Sequence, residues 1–375
     1  MLHDLSFKFL FLLFFFFPFG AQAQEVHQDF QETIKAEVIE IISEEEREVI
    51  GTDVMRTVQT VRIELEGGER AGERDIIETE TVTLEPGDDI FVMRTVTING
   101  DEYLIYSDFE RRPVLLMLVF LFVALLLVLS RWHGVRALLS LCASVGAILF
   151  LLVPALLAGY DPALTTIAVA AVVMAFVLFG THGINPCTTI AFGGMFSAVV
   201  VTGIIAFLSV YFMHFTGLSD DAAVYLNFAT DGSIDMTGLL LGAIIIGILG
   251  VLDDVSITQA SVVQELKAAN PNFTAKDLYK RAIKVGRDHI GSLVNTLALA
   301  YAGVSLPLIL LYAKTESDLM LALNHEVVSV ELVRIIVGSI GLVMAVPATT
   351  FIAAWYFQNR TIDVHEVGGH HHHHH

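Results

Sequence analysis

From Pro113 onward the chain is a succession of apolar segments, and this pattern decides most of what it can fold into. Segments at 114–130, 137–158, 163–180, 187–214, 237–260, 289–313 and 330–357 are each long enough to cross a hydrocarbon core of about 30 Å, the third only just. Inside such a core every backbone polar group needs a partner within the protein, so the segments are expected to be helices. The composition agrees: 54% of the 375 residues are hydrophobic and 17% charged, where a soluble domain carries about a quarter charged residues. A soluble enzyme, a nucleic-acid binder and a disordered chain are thereby excluded. The formal charge of −20 argues further against nucleic acid or anionic lipid as a specific partner.

The N-terminus carries Lys8, an apolar stretch from Phe9 to Phe17, and then Pro18-Phe19-Gly20-Ala21-Gln22-Ala23. This is the pattern of a secretory signal cleaved after Ala23, with a retained first helix as the alternative; either way the next segment is exported. Residues 24–112 hold 24 acidic and 9 basic residues, a net of −15. Thr33–Ile42, Thr57–Glu66, Ile76–Leu84, Ile90–Ile98 and Tyr103–Tyr106 read as strands, punctuated by Gly67-Gly68, Pro86-Gly87-Asp88 and a hairpin signal at Asn99-Gly100. Five short strands suggest a small β-barrel of the OB or SH3 type, with Glu44-Glu45-Glu46 as a solvated turn. The helical domain then runs from 113 to 360. Residues 361–375 form a tail whose histidines, His370 to His375, read as a purification tag.

Seven spans after an exported domain put the C-terminus in the cytoplasm. Loop charges agree: nine Lys and Arg fall in the expected inner loops and three in the outer ones. Leu266 to Arg287 is amphipathic and basic, broken by Pro271, with Thr274 and Asp277 spaced as a capping box.

An ionisable residue inside a span is costly, which marks Asp253 and Asp254 as candidates for ion or proton coupling. Neighbours on a helix point about 100° apart, so one of the two is expected to face the bundle. Ser256, Thr258 and Gln259 add polar groups one turn on, and Gly247 and Gly250, with Gly238 and Gly242, form a small-residue groove. Asn295 and Thr296 on the next span are expected at comparable depth, as helix neighbours of the acids. Arg334 is expected to snorkel toward the outer interface. His182 and His214 lack a second His or Cys at ligand spacing, and no catalytic motif is present, so neither metal, cofactor nor enzymatic activity is expected.

Arg131-Trp132-His133-Gly134-Val135-Arg136, Gly159-Tyr160-Asp161-Pro162, Gly247 to Asp254, Gly286 to Gly291 and Asn295 to Tyr301 together resemble the YibE/F family of bacterial membrane proteins, over about residues 25–330. The stretch Ile234 to Lys267 is also similar to one helix of the SecD and SecF export subunits, members of the RND superfamily of proton-driven transporters. This chain departs from them in having two extra preceding spans, no Arg-x-Arg-Glu in its basic inner segment and no Arg at matching depth. The resemblance implies a half-RND, SecF-like helical unit that pairs as a homodimer in the bacterial inner membrane. Asp253 or Asp254 would relay protons, and the unit would transport a substrate or assist export. A scaffold or sensor whose external β domain binds a partner is the alternative.

Overall fold

The computed structural model describes residues 30–48, 55–97, 101–314 and 318–360, so the expected signal segment and tag lie outside the described residues. The chain divides into two compact units, Met1–Phe122 and Val123–His375, with the boundary inside the first helix.

In the first unit, β1 (Phe30–Glu48), β2 (Met55–Leu65), β3 (Arg74–Thr79), β4 (Asp89–Val96) and β5 (Glu102–Phe109) form one antiparallel sheet in the order β3-β2-β1-β4-β5. Alternation builds its core. Ile34, Ala36 and Val38 of β1, Val61, Ile63 and Leu65 of β2, and Ile90 and Val92 of β4 point to one buried face. The register pairs Val38 with Ile63 and Ile34 with Val92. The segment after β3 folds over that face, where the buried Gln59 side chain accepts from Leu84 N at 2.7 Å and donates to its carbonyl.

The expected barrel does not close. No ladder joins the edge strands β3 and β5 among the described residues; Arg70 bridges the gap instead, donating to Glu73, Asp75 and Glu102. Charged side chains at these edges disfavour further strand pairing. Glu44-Glu45-Glu46 is not a turn: it continues β1 as an exposed strand paired with Thr57 to Gln59.

The second unit takes in most of α1 (Arg112–Ala147), which continues through a π-helical turn at Ile148–Leu152 into Val153–Leu157. There follow α2 (Pro162–His182), α3 (Pro186–Phe212), α4 (Asp221–Ala229), α5 (Met236–Ala269), α6 (Ala275–Val304), α7 (Leu306–Lys314), α8 (Leu319–Asn324) and α9 (Glu326–Phe357). Among the described residues five helical runs are long and apolar enough to cross a membrane, or six if α6 and α7, bent by 65°, count as one. The first two segments expected from sequence, 114–130 and 137–158, lie in one run that breaks at Arg131 (φ 48°, ψ −124°). Just after the break the chain folds back on itself, since a Cβ at Gly134 would sit 2.6 Å from the Leu126 carbonyl oxygen.

Asp161, Asn185, Asp220 and Asp235 cap the starts of α2, α3, α4 and α5 with their side chains. The capping box at Thr274 and Asp277 is present. α5 is the central helix, packed against α2, α3, α6 and α9. Its seams are made by small residues: Gly242 against Thr166 of α2, and Ile248 against Gly338 of α9. The α3–α9 seam is tighter still. A Cβ at Gly194 would lie 2.0 Å from the Thr349 hydroxyl, and one at Gly341 would lie 2.3 Å from that of Thr202.

Candidate functional site

Asp253 lies about halfway along α5, on the central helix of the bundle. The helical offset of neighbours separates the two acids as expected. Asp253 is half-buried, and its buried Oδ1 has no partner among the described residues, whereas Asp254 is exposed. Ser256, one turn on and fully buried, also leaves its hydroxyl without a partner. Buried polar groups are nearly always hydrogen-bonded, so two orphans on adjacent turns of one helix mark this stretch as unusual.

Gln259 is the opposite case. Its amide donates to the Ala282 carbonyl of α6 at 2.9 Å and to the Thr350 hydroxyl of α9 at 2.8 Å, and Thr350 in turn donates to Val346 O. Gly286 makes room for it: a Cβ there would lie 2.8 Å from the Gln259 Oε1. Gln259 therefore ties three helices together through its amide nitrogen. Near the end of α5 the buried Lys267 ammonium donates to the carbonyls of Pro271, Phe273 and Gln358, fixing the α5–α6 connection to the end of α9.

The remaining sequence candidates are not gathered at Asp253. Gly286 lies beside Gln259, and Leu297 and Ile248 both lie against Gly338, which sets the register of α6 against α5. Asn295 and Thr296 therefore sit roughly one turn from Asp253, level with Leu249 and Gly250. Both are exposed, no hydrogen bond joins them to Asp253 among the described residues, and Thr296 donates to Ser292 O of its own helix. Thr258 is exposed, and Gly250 meets nothing that would obstruct a side chain. Gly247 has a definite role in packing: a Cβ there would lie 2.4 Å from the Tyr301 hydroxyl.

That contact leads to an ion pair on α9, Arg334 with Glu331. Arg334 lies over the Tyr301 ring at 5.9 Å and pairs with Glu331 at 3.5 Å, one turn nearer the start of α9, while its Nε is buried without a partner. Its head leans toward the start of α9 and rests on the Tyr301 ring of α6. The signal was available: Glu331 and Arg334 are ionisable residues at i,i+3 in the last apolar segment. A second grouping, around His182, joins residues far apart in the sequence. Both His133, beside the Arg131 turn, and Asp254 lie within electrostatic reach of His182. No set of three or more His, Cys, Asp or Glu capable of holding a metal occurs among the described residues.

The family model described as YibE/F-like protein matches residues 118–359. The chain belongs to the YibE/F family. The YibE/F match begins within α1 and runs to the end of α9, so it takes in the helical unit and leaves the sheet outside, unlike the span of 25–330 expected from sequence. Neither the curated proteins nor the solved structures give a match.

Proposed function

We propose that this YibE/F protein is a secondary transporter, or an export-assisting protein of the SecD/SecF kind, in which Asp253 takes up and releases the coupling proton or ion. The observation that carries this reading is the unpartnered carboxylate oxygen of Asp253, buried in the central helix of an apolar bundle. A carboxylate held there without a counter-charge costs several kcal/mol, and binding a proton or a cation relieves that cost. A group bearing such a penalty is retained for a task. Asp254, exposed and within electrostatic reach of His182, supplies a hydrated relay between Asp253 and the His182 end of the bundle.

The finer architecture belongs to the same proposal. The fold-back at Arg131 supports counting 112–157 as two crossings, giving seven in all. With the acidic sheet outside the cytoplasm, the C-terminus is inside, in keeping with the nine-to-three loop charges. In the half-RND reading the unit pairs as a homodimer in the bacterial cytoplasmic membrane. One observation favours the alternative of a scaffold or sensor: the edge strands of the sheet expose Ile76, Tyr103 and Ile105, apolar side chains that a bound partner would cover.

Proton flux into proteoliposomes under an imposed pH gradient separates the readings. Asp253→Asn is expected to abolish the flux with folding intact, and Asp254→Asn to slow it. Full flux through Asp253→Asn protein would refute the coupling role.

A further inference from the structure

A cleft of about 460 Å³ opens at the end of the bundle where α2 and α5 begin and α3 ends, far along α5 from Asp253. Its volume is that of a small-molecule site. Two features of its lining stand together. One wall is aromatic, with Phe207 and Tyr211 stacked at 6.4 Å between ring centroids and largely exposed. The other carries Asp161 and Asp235, from two different helices. Each acid uses one oxygen to cap its own helix, Asp161 accepting from Leu164 N and Asp235 from Thr237 N, and neither is engaged in an ion pair among the described residues. Among the described residues no lysine or arginine lines the cleft, and His214 is its basic side chain.

We propose that this cleft binds an organic cation, an amine or quaternary ammonium with an apolar body. The aromatic faces attract the cationic head and cover its alkyl or aryl substituents, while the two carboxylates balance its charge. A divalent ion here would take most of its six or more oxygens from water and would gain nothing from the aromatic wall. Tyr211 and Thr237 add hydroxyls to the lining for a polar substituent. The proposal is independent of the coupling role of Asp253, since it concerns binding at equilibrium.

Calorimetry on the full-length protein in lipid nanodiscs tests it, with benzyltrimethylammonium as the probe and empty nanodiscs as the blank. Saturable binding is expected, absent for neopentylbenzene, the neutral isostere, and not displaced by calcium at matched ionic strength. Asp161→Asn and Asp235→Asn keep their helix caps, since asparagine caps as well as aspartate. Each is expected to weaken binding about fivefold, the scale of a half-exposed ion pair, and Tyr211→Leu to weaken it too. Asp220→Asn, the same change at the cap of α4 outside the cleft, should leave affinity unchanged. Absence of saturable binding would overturn the assignment. So would equal binding of the neutral isostere, displacement by calcium, or an Asp220→Asn loss matching those of the cleft variants.

Discussion

Gln259 and Asp253 sit less than two turns apart on α5 and show how differently a bundle can treat a polar side chain. The Gln259 amide has a carbonyl and a hydroxyl to donate to, each from another helix. Replacing it with leucine removes both bonds and leaves the Ala282 carbonyl without this donor, at a cost of about 1–3 kcal/mol. Gln259→Leu protein should therefore unfold at lower denaturant concentration in mixed micelles, with no change in proton flux once refolded; unchanged stability would contradict the role given to it. Asp253 has no comparable partner for its buried oxygen. The sequence distinguished these residues only by type. That one of two adjacent acids faces inward followed from helical geometry, but which one did not, because that depends on the rotation set by Gly242 against Thr166 and Gly338 against Ile248. The exposed side of α6 that carries Asn295 and Thr296 was hidden for the same reason, since apolar segments carry little information on which face meets which neighbour.

At the scale of elements, the strands were legible because one face alternates, as in Ile34, Ala36 and Val38. The closed barrel was not, since closure depends on whether β3 and β5 meet through backbone or through Arg70. Ion pairs therefore do part of the work of a ladder. Hydrogen bonds from Arg94 and Arg70 hold the Glu102 carboxyl below its ordinary value. Arg112 lowers Glu110 from 4.5 to about 2, and Arg111 lowers Asp108. Carboxyls depressed by folding contribute stability that is present above their unfolded values and is lost as the pH falls through the folded ones. The window thus opens near 4.5 and closes near 2. Backbone amides of β4 and β5 should lose exchange protection across it, after correction for intrinsic rates, and Glu102→Gln should make the loss shallower. Protection that persists unchanged to the bottom of the window would show that the ladder alone holds the edges.

For the whole molecule, hydropathy gave the helices and their order, and the loops between most of them fall at capping residues such as Asp161, Asn185 and Asp235. It could not show that α5 is the centre, because α3, α5 and α9 are about equally apolar. Centrality comes from small residues on several faces of one helix and from Gln259 reaching two neighbours at once. That position turns a carboxyl on α5 from a boundary marker into a buried group, and the coupling proposal depends on it. A lipid-soluble carbodiimide, which modifies protonated carboxyls in apolar surroundings, tests this most directly when applied to the reconstituted protein and read by mass spectrometry. The account predicts one modification in the peptide containing Asp253 and Asp254, slowing as the pH is raised, lost in Asp253→Asn and kept in Asp254→Asn. Modification that survives Asp253→Asn, or none at any pH, would contradict it.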